Sequence, residues 1–336
     1  MKGHHRVACS SLVKIELLLS ILIVNKYPRK SLVSIQMACD ESKLIFTRYL
    51  YSLDDAKHSL FVSILNKNSD ESLFWLYEIY YSGFKTDAFQ MVMNVFTDVF
   101  SFDNPDLTKP FHRIMKNYEE TPSEADSVSI GTMVHNLCLR KYRIEYFMKT
   151  YIGIVCEPST DTDVTKKHLY ITLTRDNIQK YETKPSMEKP HLYLREVCKY
   201  SAHKETNAIF GEARDGLFKD LYINHWLYFA YKSPIWKERV EAYGGKPVHD
   251  QKKIVFYNEA GEEDEDLTSE FYDQWNMETD EQPVDVINKS TGVGAIQYMT
   301  VTDFCRKYGG VMKTKKLARK IKTMEALSIS MNSLAL

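Results

Sequence analysis

Histidines, cysteines and carboxylates are the side chains in this sequence best equipped for chemistry, and their spacing is informative. Cys198 and His203 lie five apart, as do Asp220 and His225. Five residues of α-helix turn through about 140°, so neither pair presents two ligands on one face to a metal ion. There is no H-E-x-x-H run of the zinc protease type and no G-x-S-x-G around a serine nucleophile. Gly292-Val293-Gly294 has neither the third glycine nor the lysine of a phosphate loop and reads as a turn. Glu71 and Glu78, seven apart, read as carboxylates on a helix surface. The six cysteines, Cys9, Cys39, Cys138, Cys156, Cys198 and Cys305, contain no C-x-x-C pair. That pattern lacks zinc-ribbon spacing and fits free thiols packed as small apolar groups in a reducing compartment. No catalytic, cofactor-binding or metal-ligating residue is therefore assigned, and the expectation leans away from an enzyme.

Two other constellations suit binding. Phe74, Trp75, Tyr77, Tyr80, Tyr81 and Phe84 are dense enough to cover more than one face of a helix. Core packing accounts for most of such a cluster, while Trp75, Tyr77 and Tyr81 are candidates to contact a protein partner. From Asn258 to Asp285 every Asp, Glu, Lys or Arg is acidic, whereas basic residues dominate from Arg306 to Lys322. Lys315, Lys316, Arg319 and Lys320 are candidates for salt-dependent contact with nucleic acid phosphates; the competing reading folds this tail back on the acidic stretch.

The elements that must position these residues are mainly helical. The chain has 336 residues, 44% of them hydrophobic, with only 13 glycines and 10 prolines. That length predicts one large or two moderate domains, and that composition long helices rather than a sandwich or barrel. A formal net charge of −1 provides no global attraction to nucleic acid or membrane. Ser52-Leu53-Asp54-Asp55 has capping-box form, followed by Ala56, Leu60, Phe61, Ile64 and Leu65 at helical spacing. Asn66–Ser69 reads as a turn, with further helices from about Asp70, ending near Gly83, and from Asp87 to Phe100. Thr121-Pro122-Ser123-Glu124 reads as another helix start. Short connections make neighbouring helices antiparallel, giving stacked helical hairpins in a bundle or short solenoid.

A polar stretch from Glu157 to Lys167 reads as a linker or long loop. Beyond it, His168–Thr174 and Lys252–Tyr257 are strand candidates and Leu192–Tyr200, Asn207–Tyr231 and the segment opened by Ser233-Pro234 are helical. The expected parts are an extension over 1–36, a helical domain over 37–156, a second mainly helical part over 168–257 and a charged region over 258–336. The apolar run Leu12–Val24, interrupted by Lys14, Glu16 and Ser20, has three readings: a stretch upstream of a natural start at Met37, a packing or interfacial helix, or a signal or membrane anchor within residues 11–24.

Three blocks carry a resemblance. Arg48–Ser52 with Ser59-Leu60 and Ser72–Phe84, then Ser233–Trp236 with Arg239 and Tyr243–Gly245, then Phe271-Tyr272 with Asp280–Pro283, are similar to uncharacterised proteins of large nucleocytoplasmic double-stranded DNA viruses of algae and protists. The resemblance spans about residues 40–290 and brings no catalytic residue. It implies an intracellular protein of an infected cell, in the host cytoplasm, virus factory or virion. The expected function is a helical interaction or structural protein that binds a viral or host protein; the alternative is a transcription or replication factor using the basic tail. No cofactor is expected.

Overall fold

A computed structural model describes residues 41–158, 169–182, 193–210, 217–275, 277–292 and 296–312. Residues 11–24 and the basic candidates Lys315, Lys316, Arg319 and Lys320 lie outside them. The protein is mainly α-helical, and the described residues contain four short strands in two antiparallel pairs.

The first hairpin is α1 (Leu53–Leu65) and α2 (Ser69–Tyr81). Leu60, Phe61 and Ile64 bury one stripe of α1, while α2 is buried from Glu71 to Tyr80. The turn between them places Lys67 at a φ of +58°, and the Asn68 side chain caps α2 by accepting the Glu71 N–H. Ser52 stands at the N-cap of α1, but its hydroxyl makes no capping bond and is buried without a partner, so the capping bond expected from it is not made. Past α2, Gly83 has a φ of +98°, and a Cβ there would lie 2.5 Å from Pro234 Cβ. Glycine is needed at that point both for the backbone and for the close approach of the helix that Pro234 opens.

The chain continues through α3 (Lys85–Val95) into a π-helical turn, π1 (Phe96–Phe100), where Ser101 N–H reaches back five residues to Phe96 O at 2.7 Å. α4 (Thr108–Glu120) and α5 (Asp126–Cys138) follow. The start signal at Thr121–Glu124 is displaced: these residues form the connection, and the Asp126 carboxylate accepts the Ser123 N–H at 2.6 Å. α5 packs on α2, and Gly131 gives the Tyr77 hydroxyl room to donate to Ser127 O at 2.8 Å. A short helix, α6 (Glu145–Phe147), runs into a second π-helical turn, π2 (Met148–Ile152), which ends at Gly153 with a φ of +72°. β1 (Cys156–Pro158) comes next, inside the stretch expected to begin a loop.

Residues 169–174 form no strand. Ile171 exchanges hydrogen bonds with the Asn136 side chain, and Leu173 N–H donates to Thr132 Oγ1. Two α5 side chains supply the partners that a neighbouring strand would otherwise provide. The helical span expected over Asn207–Tyr231 contains α9 (Asn207–Phe210) and α10 (Leu217–Ala230), preceded by α7 (Arg175–Gln179) and α8 (Tyr193–Val197); α10 kinks at His225. α11 (Pro234–Glu241) leads into the hairpin of β2 (Gly245–Val248) and β3 (Lys253–Phe256). α12 (Glu265–Trp275), α13 (Val284–Thr291) and α14 (Val301–Lys307) precede β4 (Gly310–Met312), which pairs with β1. One continuous apolar core runs from Leu44 to Tyr308.

Candidate functional site

Two kinds of polar site stand out among the described residues: buried pairs that are closed on themselves, and a cleft that is not. Glu71 and Glu78 belong to the first class. They are buried, at 8% and 0% exposure, where surface positions were expected. Glu78 pairs with Arg48 at 3.0 Å and also accepts the Tyr49 N–H. Arg48 donates further to Tyr181 O at 2.8 Å, so the charges stay paired inside the core. Glu71 takes Nε2–H of His203 at 2.8 Å, and Glu205 takes its Nδ1–H at 2.9 Å. Burial pulls the His203 pKa down, but its hydrogen bonds and charge interactions with Glu205 and Glu71 outweigh this and raise it to about 9. Both ring nitrogens are occupied, so this imidazolium ties its own segment to α2 and has no nitrogen free for proton transfer. Asp70, though exposed, is also committed: against the pull of partial burial, hydrogen bonds from Lys180, Tyr200 and Tyr181 hold its carboxyl at about 2.

The cleft opens between α1, α3 and the two π turns. Its floor is Phe61, Met91, Val95, Val99, Phe147 and Phe210, and its polar rim is Asp54, Lys57, His58, Asp87, Asn94, Asp98 and Tyr151. The enclosed space is about 110 Å³. An apolar cavity of about 150 Å³ takes a benzene ring, so this smaller, open-mouthed space takes no more than one apolar side chain. π turns are rare and recur at functional sites because the extra residue re-aims side chains. Here both meet at the cleft: Asp98 and Val99 come from π1, Tyr151 from π2, and the Tyr151 hydroxyl donates to Asp98 at 2.5 Å. Partial burial raises the Asp98 pKa against the lowering effect of that hydrogen bond. On the α1 side, Lys57 pairs with Asp87 at 3.0 Å, and His58 stacks on Phe210 with ring centroids 4.7 Å apart. His58 Nδ1 also meets Asn207, which donates to Asp55, itself paired with buried Lys204 at 2.9 Å. The rim histidine is thus positioned from the core. Phe102, just after π1, and Tyr146, in α6, are 75% and 59% exposed.

The aromatic residues chosen from sequence lie elsewhere. Trp75 and Tyr77 are fully buried and cannot meet a partner in this fold; Tyr81 is half-buried, stacks on Tyr77 and donates to Glu182. The physical reason is that α2 is enclosed on all sides, so its aromatic excess fills the core. Sequence reasoning missed the cleft because Val95, Val99, Phe147 and Phe210 are separate apolar residues that only folding collects. The two acids seven apart in α2 were visible, but their cationic partners lie 30 and 132 positions away. No cluster of three or more His, Cys, Asp or Glu suited to a metal ion occurs among the described residues, and no described helix is long and apolar enough to cross a membrane. No protein-family model matches the chain, and comparison with curated proteins and with solved structures gives no match.

Proposed function

We propose that this chain is a helical protein–protein interaction protein whose cleft takes one large apolar side chain of a partner. The observation that carries this reading is the shape of the cleft: an apolar floor sized for one side chain and a rim of three carboxylates, Asp54, Asp87 and Asp98, against Lys57 and His58. Anchor residues seated in a pocket and ringed by polar contacts dominate interface energetics. The acidic excess favours an anchor flanked by lysine or arginine. The setting suggested by the viral resemblance, a virus-infected cell, belongs to the same proposal.

The test is selection of peptides from a random display library on the purified full chain, with binding then measured on the Asn94→Trp variant. Asn94 is half-buried at the rim, where an indole would occupy the space without entering the core. The expected result is a motif with one large apolar residue beside a basic one, losing at least about tenfold in affinity on the variant. No enriched motif, or equal binding to both proteins, overturns the reading. Retention on nucleic acid that falls steeply with salt, and is lost when Lys315, Lys316, Arg319 and Lys320 become alanine, would favour a nucleic-acid function instead.

A further inference from the structure

Two thiols meet at the seam where β4 closes on β1. Cys156 opens β1, and Cys305 sits in the last turn of α14. The chain leaves α14 through Tyr308 and Gly309, whose φ of +86° turns it back, and enters β4 at Gly310. Pairing sets Pro158 opposite Gly310 and Cys156 opposite Met312. The Cys156 side chain occupies the space that a side chain at position 310 would need, since a Cβ there would lie 2.9 Å from its Sγ. In this position the Cys156 and Cys305 thiols share a hydrogen bond. Both are free and buried. The other two described cysteines have oxygen partners instead: Cys138 faces Ser72 Oγ at 3.4 Å and Cys198 faces Tyr49 O at 3.7 Å.

We infer that Cys156 and Cys305 form an oxidative modification site, which closes to a disulfide when the protein meets hydrogen peroxide. Sulfurs already in hydrogen-bond contact need only small side-chain rotations to reach bonding distance, about 2.05 Å. The hydrogen bond from Cys156 lowers the Cys305 pKa against the opposing effect of burial, whereas the same contact together with burial raises that of Cys156. Either sulfur, once ionised, can attack, and Cys305 serves here as the first. Its sulfur attacks one peroxide oxygen, the O–O bond breaks, and the departing hydroxide takes up a proton as water, leaving a sulfenic acid. Cys156 sulfur then bonds to Cys305 sulfur, its proton passes to the sulfenic oxygen, and a second water leaves. Two thiols have lost two electrons and two protons, and one peroxide has become two waters. Access comes from the element itself: β1 and β4 are three residues each, and Val155 and Glu157 beside Cys156 are exposed, so local opening of this pair admits a molecule little larger than water.

The bridge would join distant parts of the chain and make the denatured protein more compact. The test uses the full chain purified under reducing conditions, treated with hydrogen peroxide, alkylated in denaturant and mapped by mass spectrometry. The expected result is a loss of two hydrogens, a peptide joining Cys156 to Cys305, and faster migration on a non-reducing denaturing gel. Cys156→Ser and Cys305→Ser should each abolish that band, and Cys138→Ser should leave it. Should the serine variants fail to fold, thiol counting on the unsubstituted chain decides. A thiol count unchanged by peroxide, a first disulfide that joins other cysteines, or oxidation of Cys305 to sulfinic acid without a cross-link overturns the inference. None of these outcomes depends on the cleft.

Discussion

Glu78 and Asp98 are both helical carboxylates, yet the molecule surrounds them differently. Glu78 is wholly enclosed, faces a guanidinium and takes a backbone N–H as well. Asp98 stands half-buried at the edge of a cleft, where a phenol donates to it. The same contrast extends to their surroundings. Around α1 and α2 the acids Asp55, Glu71 and Glu78 each have a cationic partner, Lys204, His203 and Arg48, and the helices are regular. Around the cleft the helices loosen into π turns, and two aromatic side chains next to those turns in the chain, Phe102 and Tyr146, remain exposed. Burial commits a polar group to its partner, because leaving it alone costs the full desolvation of the charge. Only at a half-open site can a polar group change partners, and that difference is what makes the cleft a candidate for function and the hairpin a scaffold for it.

The sharpest way to break the comparison is to unpair the scaffold. Glu78→Gln keeps the shape of the side chain but strands the Arg48 charge in the core. The expected loss is about 3–5 kcal/mol, measured as a shift of the urea midpoint at constant slope. A loss under about 1 kcal/mol would mean that the pair is solvated and that the two regions do not differ in kind.

The His203 clamp should show next, as a pH dependence. Its folded pKa of about 9 lies above the ordinary 6.5. The clamp therefore contributes fully below about pH 6.5 and is lost as pH rises towards 9, on the order of 3 kcal/mol in all. Urea midpoints across that window should fall for the natural chain and stay nearly flat for His203→Gln. Parallel curves would place the dependence on another group.

A smaller effect is expected where α5 meets α2. In Gly131→Ala the new methyl would lie 2.1 Å from the Tyr77 hydroxyl, so Tyr77 must move and its bond to Ser127 must stretch. Overpacking of this kind costs about 1–3 kcal/mol. A neutral substitution would show that this side of the hairpin has slack.

How far each region was legible in the sequence follows from the same contrast. The stripes of α1 and α2, the stop at Gly83 and the strand over residues 253–256 were visible because each rests on neighbours within a few residues. The π turn at Phe96–Phe100 was hidden, since Phe96 and Phe100 fall at ordinary helical spacing and only the reach of Ser101 to Phe96 reveals the wider turn. Residues 169–174 carried a strand pattern, but their partners are side chains of α5, which no local pattern announces. Trp75 and Tyr77 looked available for binding because composition does not tell how many sides of a helix are covered. The cleft depended entirely on separations no motif records, Phe61 to Phe210 and Asp98 to Tyr151 among them.

The smallest effect on stability should come at the cleft itself. Asp98→Asn retains an oxygen to accept the Tyr151 hydroxyl while removing a charge that partial burial disfavours, since the Asp98 pKa is raised. The direction follows from that shift: a carboxyl easier to protonate when folded makes the ionised form a cost at neutral pH, so the amide should be neutral or slightly stabilising, by less than about 1 kcal/mol. The same substitution should weaken any basic partner that the carboxylate attracts. A gain in stability together with a loss of binding would be the trade expected of a residue held for function. A loss of more than about 1 kcal/mol would instead place Asp98 with Glu78, as part of what holds the fold, and would erase the distinction on which the cleft assignment rests.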